Sequence, residues 1–534
     1  MNVGDWFLTA AERGNPYTGI DDRHDGVSWT EGNSVEVLVD GVEYFGSLLR
    51  TLSDTGAGDT VLFTGLEGNA NAQLLPYDGC EIGAVLRDAA ERGVAVRGLV
   101  WRAHALVYHE GENLLFGRVV NDAGGEVLLD NRIRRGGAHH QKLVVVRFEH
   151  DPARDVAFVG GMDLAYGRRD DGDHYGDPQA ADLSEDNYGP TPPWHDVQLR
   201  IEGPAVDDVA FTFRERWEDP SPLDHRTPFR ALMHRAAKHP LKPSALPPER
   251  VAPRAAGACA IQVLRTYPAR VRTPYPFAPE GERSIARAYI KSFRRASRLV
   301  YLEDQYLWSF RAADELCAAL RREPDLLVVI VIPRYPDPDG RLAGTASALG
   351  REEVQRSLYE AGGERVAIYD VENDHGTPVY VHSKACVVDD VWCAIGSDNL
   401  NRRSWTHDSE ISCAVLDSRL DERAPQEMGT HGDRARVLAR DLRLRLACEH
   451  AGLDADHVGS IVDPKEWFDL LRLRADALDA WHDHGRVGPR PPGHLRRHPQ
   501  EHTSPTERRL LHWVHAHLLD PDGRPDGLKR LDAF

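Results

Sequence analysis

Two tripeptides carry the residue types for phosphorus chemistry: His140-Gln141-Lys142 and His382-Ser383-Lys384. The chain has 25 histidines, but only seven of its 65 cationic residues are lysine. Arginine serves wherever a positive charge is enough, so a lysine marks a position that wants a compact ammonium. On a strand, residues i and i+2 share a face, which sets each His beside its Lys. Two such pairs in one cleft suit cleavage of a phosphodiester. One imidazole attacks phosphorus, and the other protonates the leaving oxygen. A water or alcohol, deprotonated by the second imidazole, then resolves a phosphohistidine. Both ammonium groups, with Ser397 and Asn399, would hold the non-bridging oxygens as charge develops. The positive charge is already protein-borne, so the reading requires no metal and no cofactor. Each ring also needs a partner on its other nitrogen to fix the tautomer. Asp196 in PWHDVQL and Glu410 in HDSEIS are the candidates, and which serves which stays open.

These residues sit in a pattern that occurs twice. VEYFGSLLRTL (42–52) and GAVLRDAAERG (83–93) have helical spacing. TVLFTGLE (60–67), VAVRGLVW (94–101), GGEVLLD (124–130) and HHQKLVVV (139–146) read as strands. The order returns as helices at 284–296, 312–322 and 351–363, and strands at 298–307, 326–333, 365–370 and 379–390. Apolar runs of this length between amphipathic helices predict a mainly parallel, covered sheet. A repeat unit this large is a duplicated domain. The fold class is α/β: two tandem α/β/α sandwiches packed face to face, with the site at their interface.

The expected organisation is an N-terminal segment 1–35, a first repeat 36–218, a linker 219–256 with one short helix, a second repeat 257–420 and an extension 421–534. The stretch 168–193 reads as a long acidic loop, which at a pocket rim would favour cationic or neutral head groups. The Pro-, His- and Arg-rich tail around 484–508 reads as solvated.

Composition narrows the partners. The formal net charge of −19 disfavours nucleic acid and anionic bilayers in bulk. No run approaches the ~18 apolar residues of a membrane span, and the start, MNVGDWFLTAAERG, lacks the features of a secretory signal. Seven scattered cysteines do not form a disulfide framework and read as reduced thiols of a cytoplasmic protein.

His-x-Lys-x4-Asp, followed by Gly-Gly/Ser-x-Asp/Asn, resembles the phospholipase D superfamily over about residues 35–415. AFVGGMDLAYGRRD, YLEDQYL, YVHSKACVVDD and IGSDNLNRRSWTHDSEIS are similar to blocks of the phospholipase D enzymes themselves. The resemblance implies His140 as nucleophile and His382 as general acid, then base. It implies Lys142, Lys384, Ser397 and Asn399 as phosphate contacts, with Asp163 at the position matching Asn399. It makes Asp196 and Glu410 the carboxylates that orient the rings. An Asp at 163 cannot donate to a phosphate, and bracing a Lys or a turn is its other reading.

One position departs from the family pattern. Where the second copy has Asp389, the first has Arg147. A residue five past the Lys faces the opposite side of the strand, so Asp389 reads as structural, with Asp155 compensating in the first copy. Glu303-Asp304-Gln305-Tyr306 reads as pocket wall.

The implied reaction is hydrolysis of a glycerophospholipid to phosphatidic acid and free head group, with transphosphatidylation as a side reaction. The alternatives are a nuclease or a cardiolipin-type synthase of the same superfamily, and, in a different class, an inactive lipid-binding scaffold. A nuclease predicts a basic groove and the synthase predicts N-terminal spans. The scaffold has only Arg147 in its favour. The expected partner is a phospholipid or other phosphodiester, with peripheral membrane contact through Trp308-Ser309-Phe310 or the Arg-rich tail. A site completed within one chain implies a monomer.

Overall fold

The computed structural model describes all residues except 1, 22, 25, 103–109, 180–184, 224–241, 336–340, 501–503 and 505–511. The short helix expected in the linker falls outside the described residues.

The first half is a seven-stranded sheet. Its strands are β1 (Thr30–Val39), β2 (Thr60–Gly65), β3 (Ala95–Trp101), β4 (Glu126–Asp130), β5 (Leu143–Arg147), β6 (Val156–Gly160) and β8 (Val197–Glu202), with a two-residue strand β7 (Trp194–His195) just before β8. The spatial order is β1-β8-β6-β5-β2-β3-β4. Only β2-β3-β4 are mutually parallel, because helices link them, while the later hairpins run antiparallel.

The second half repeats this order. Its strands are β9 (Cys259–Tyr267), β10 (Glu282–Arg283), β11 (Leu299–Glu303), β12 (Leu327–Val331), β13 (Val366–Glu372), β14 (Pro378–Val381), β15 (Ala385–Val388), β16 (Trp392–Gly396) and β17 (Glu410–Asp417). They lie as β9-β17-β16-β15-β11-β12-β13, with β11-β12-β13 parallel. β10 pairs with the end of β9. A small ribbon, β18 (Glu427–Met428) with β19 (Asp433–Arg434), and a strand β20 (Leu495–Arg497) complete the set.

Alternation along single strands shows how the halves share a core. In β5, Val144 and Val146 pack outward with Phe45, Leu48 and Leu86 of helices Asp40–Ser53 and Ile82–Glu91. Leu143 and Val145 point the other way, as the two-residue period of a strand requires. They join a second core that includes helix Ala205–Trp217 and continues through both faces of the second sheet. β1 ties the sheets further, pairing with β8 on one side and β9 on the other.

The His-x-Lys elements differ from the continuous strands expected. The run 379–390 splits into β14 and β15, with His382-Ser383-Lys384 between them. β14 pairs with β13 of its own half and with β7 of the other, whereas β15 pairs with β11 and β16 of its own sheet. The chain changes partner at the motif, and hydropathy reports burial without reporting which sheet supplies it. His140 and Lys142 likewise precede β5, where His139 bridges Ser409.

The tail also departs from a solvated reading. β20 adds to β13, and His498 is buried against Asp370 Oδ2 at 3.2 Å. Among the described residues, no helix is long and apolar enough to cross a membrane. All seven cysteines are free thiols.

Arg147 is explained by packing. Its guanidinium donates to Asp155 Oδ2 at 2.6 Å, Asp207 Oδ1 at 2.9 Å and the Val251 carbonyl at 2.9 Å. Asp389 accepts from the backbone N–H groups of Ser297, Arg298 and Leu299, tying its hairpin to the start of β11. In the first half the tie runs from the other side: Asp59, just before β2, accepts from Glu149 N at 2.8 Å. Replacing Arg147 by Met leaves two buried carboxylates short of a partner. We expect a loss of about 3 kcal/mol in unfolding free energy, measured by chemical denaturation, with turnover per folded molecule unchanged.

Candidate functional site

Each motif docks on the carboxylate segment of the opposite half. His140 N donates to the Ser409 carbonyl at 2.9 Å, and His382 N donates to the His195 carbonyl at 2.8 Å. The next residues are the two carboxylates. His140 Nδ1 lies 2.8 Å from Glu410 Oε2, and His382 Nδ1 lies 2.7 Å from Asp196 Oδ2. The pairing left open by the sequence is therefore crossed. Both rings present Nε2 away from their carboxylates.

The lysines stand beside their histidines. Lys142 Nζ donates to the His140 carbonyl at 3.3 Å and pairs with Asp163 Oδ2 at 3.1 Å. Lys384 Nζ donates to the His382 carbonyl, and to Gln305 Oε1 at 3.2 Å. Both lysines are 1% exposed, whereas the Lys465 side chain is 66% exposed. Burying an ammonium is costly, so the few lysines do separate by role.

Ser397 and Asn399 differ in what they offer. Ser397 donates to Glu410 Oε2 at 2.6 Å, so its hydroxyl is committed to the carboxylate behind His140. Asn399 is buried, and its Oδ1 has no hydrogen-bond partner among the described residues. Asp163 also accepts from Leu66 N at 2.8 Å, bracing both a lysine and a turn.

The electrostatics follow from burial and two neighbouring cations. Burial, then the charges of Lys142 and Lys384, holds His140 well below the ordinary imidazole value. Burial, then Lys384, Arg168 and Lys142, does the same to His382, which also feels His140. Both lysines thus act on both rings. Burial raises Asp196 to about 6 and, together with the Asp408 charge, Glu410 to about 8. Burial brings Lys384 down to about 8.

Sequence reasoning missed the layer around this cluster. Trp194 lies against His382 with centroids 4.7 Å apart, and Arg168 lies 4.0 Å over Trp194. The start of the acidic loop thus brings a cation close to the site, and Asp170 within it is spent on Trp194 N and Gly176 N. Gln305 and Glu303 belong to the 303–306 segment read as wall. Trp308 is buried against Tyr306 and His515, not offered to a bilayer, while Phe310 is 39% exposed. The available signal was adjacency, since His195 and Ser409 directly precede the orienting carboxylates.

Among the described residues, two groups could present ligand atoms to a cation: Asp40, His174, His195 and Glu449, and His195, Glu303 and His450. Their facing ring nitrogens are already matched to carboxylates.

Fold and site define an internally duplicated α/β protein with one twinned His-x-Lys site. Residues 59–313 match the family model described as Phospholipase D, and 289–430 match the one described as Cardiolipin synthase, PLD-like domain. Phospholipase D alpha 1 of Ricinus communis is 26% identical, over 79% of this chain and 65% of that protein. Phospholipase D alpha 1 of Vigna unguiculata is 28% identical, over 62% and 54% respectively. The chain thus spans between about half and two thirds of the length of these relatives. The crystal structure of phosphatidylserine synthase from Haemophilus influenzae shares the fold with a TM-score of 0.50 at 14% identity, over 72% of this chain and 82% of that one. The chain belongs to the phospholipase D superfamily.

The charges predict a bell-shaped pH dependence of kcat/KM. Asp196, with its pKa raised, carries charge only above about 6, so activity falls below that value. Lys384, with its pKa lowered, keeps its charge only below about 8, so phosphate affinity falls above it. Glu410 titrates in the same upper range. Binding of a short dialkyl phosphate, whose own charge is constant, reads the loss of charge on Lys384 together with the gain on Glu410, and both weaken an anion's hold. Its affinity should drop about tenfold between pH 7 and pH 9, and a flat affinity over that range would count against the assignment.

Proposed function

We propose that the protein is a phospholipase D-type phosphodiesterase that converts a glycerophospholipid into phosphatidic acid and a free head group. The carrying observation is the crossed arrangement: each imidazole is held through Nδ1 by a carboxylate of the other half, and both feel both buried lysines. That leaves two Nε2 atoms for opposite ends of one displacement.

In this reading the phosphodiester anion enters between Lys142 and Lys384 and offsets their charge. His382 can then carry the proton that burial and the lysines deny it in the free site. His140 Nε2 attacks phosphorus, and an N–P bond forms as the bond to the head-group oxygen breaks. His382 gives its proton to that oxygen. It then takes a proton from water, whose oxygen attacks phosphorus and releases His140. An alcohol in place of water gives transphosphatidylation by the same steps. Asn399 and the two ammonium groups hold the non-bridging oxygens, while Ser397 and Asp163 act through Glu410 and Lys142. Asp389 serves the fold.

Lipid as the substrate class is supported by the phospholipase D relatives and by the net charge of −19, which opposes a nucleic-acid ligand. Beside His382, Trp194, Tyr380 and Tyr188 pack into a buried aromatic cluster.

The test is head-group release and phosphatidyl-alcohol formation from a panel of phospholipids in mixed micelles, beside a single-stranded oligonucleotide. His140→Ala and His382→Ala should each lower turnover at least about a thousandfold. Lipid labelled with ³²P at its phosphate should leave label on His140 in the His382→Ala protein after acid-free quenching. Oligonucleotide cleavage without lipid cleavage would overturn the lipid assignment.

A further inference from the structure

A wholly buried carboxylate lies directly behind the second motif. Glu303, at the end of β11, accepts from Ser383 Oγ at 2.6 Å and lies 3.0 Å from His195 Nε2, both through Oε2. Its Oε1 accepts from Tyr301 OH and lies 2.8 Å from His450 Nε2. Ser383 separates His382 from Lys384. His195 precedes Asp196, and its carbonyl receives His382 N. One carboxylate therefore grips both segments that must stay in register: the motif and the stretch carrying its orienting carboxylate.

Among the described residues, the first motif has no such hub. Ser409 occupies the place of His195, with His139 Nδ1 at 3.0 Å and Arg216 Nη1 at 3.2 Å on its hydroxyl. Gln141 takes the place of Ser383 and donates to the Glu410 carbonyl at 3.1 Å.

We propose that Glu303 is a positioning residue for the reaction, acting through Ser383 and His195 to fix His382 and Lys384 against Asp196. A second consequence is electrical. Five groups face His195: Asp40 at 3.0 Å and Glu449 at 3.1 Å on Nδ1, Glu303 on Nε2, and the rings of His174 and His450 at centroid distances of 5.5 and 5.1 Å. Burial opposes its charge, but the carboxylates overcome that and raise His195 well above the ordinary imidazole value. Burial likewise opposes charge on Glu303, but His195 and the hydrogen bonds of both imidazoles hold it well below the usual range. An imidazolium is thus fixed one residue from Asp196. It favours the anionic form that His382 Nδ1 needs, while Glu410 has the anion Asp408 beside it instead. Glu449 and His450 close helix Val437–Ala451, so a segment beyond the duplicated halves takes part in setting the second motif.

This inference rests on His382 acting as the acid–base group. The test is steady-state turnover of a micellar phospholipid by Glu303→Gln, Ser383→Ala and Tyr301→Phe. Glu303→Gln keeps shape but sets an amide against donors. It should lower kcat about a hundredfold with KM within about threefold, and Ser383→Ala should lower kcat about tenfold in the same pattern. Glu303→Gln removes one of the three carboxylates around His195 and so changes the charge behind Asp196, which moves the acid limb of kcat away from its parent position. Tyr301→Phe removes a donor to Glu303 without touching either segment and should stay within about twofold of the parent. Wild-type kcat and pH profile in both Glu303→Gln and Ser383→Ala, whatever their melting temperatures, would overturn the proposal. So would a stoichiometric transition metal in the purified protein, since the group would then be a metal centre. If Glu303→Gln does not fold, Ser383→Ala carries the test. Full turnover by His382→Ala would instead sink the acid–base reading, and with it the positioning role that rests on it.

Discussion

Two ammonium groups taken out of water are the constraint around which the rest is arranged. Removing an ion from solvent costs several kcal/mol unless charge and hydrogen bonds are restored to it. Lys142 recovers a full partner in Asp163. Lys384 does not: among the described residues it has the Gln305 amide oxygen and the His382 carbonyl, with no carboxylate within ion-pair distance. Burial lowers its affinity for a proton, and the more distant charges of Asp196, Asp304 and Glu410 restore only part of it. Lys384 therefore keeps its ammonium without a salt-bridge partner of its own at the point where a phosphodiester would sit. A site built this way favours a bound monoanion because a phosphate oxygen would give Lys384 the direct ionic contact that no carboxylate of the described residues makes.

The same burial explains the crossing of the halves. An imidazole enclosed next to two cations needs a carboxylate on its far nitrogen, and each half places its carboxylate on the segment against which the other half's motif docks. Ser409 and His195 supply the backbone carbonyls, and Glu410 and Asp196 follow at once. The backbone contact and the charged contact are then one structural event. Neither half holds a complete site. Sharing one apolar core across the halves, with β1 pairing into both sheets, keeps the two contacts in register.

Much of this was legible because strand and helix periods are local properties. The order of elements, the duplication and the identity of the two His-x-Lys pairs all follow from spacing along the chain. What escaped was whatever depends on a choice of partner. The run 379–390 reads as one strand, yet it divides at His382-Ser383-Lys384: β14 lies between β13 and the two-residue β7 of the other half, and β15 pairs with β11 and β16. Ser397 looked available to a phosphate, but its hydroxyl is absorbed by a carboxylate thirteen positions later in sequence. Residues 484–508 looked solvated from composition, yet β20 lies on β13 and His498 finds Asp370. Trp308 carried no label to distinguish a core indole from a membrane anchor. In each case the residue type was right for both fates, and only the third dimension selects.

Divergence between the copies follows the same physics. At the position of Asp389 the task is to hold a hairpin to the start of a central strand, and a carboxylate accepting three backbone N–H groups does it. Once Asp59 performs an equivalent task from the neighbouring strand, the position of Arg147 is released from it. It then recruits Asp155 and Asp207, locking the hairpin to helix Ala205–Trp217 instead. Nearer the chemistry both histidines and both lysines are kept, and the change from Asn399 in one copy to Asp163 in the other is absorbed by Lys142. Loss of the motif Asp from one copy is therefore a change in how that copy is braced, on the face of the strand opposite the chemistry, and it leaves both histidines and both lysines with their partners.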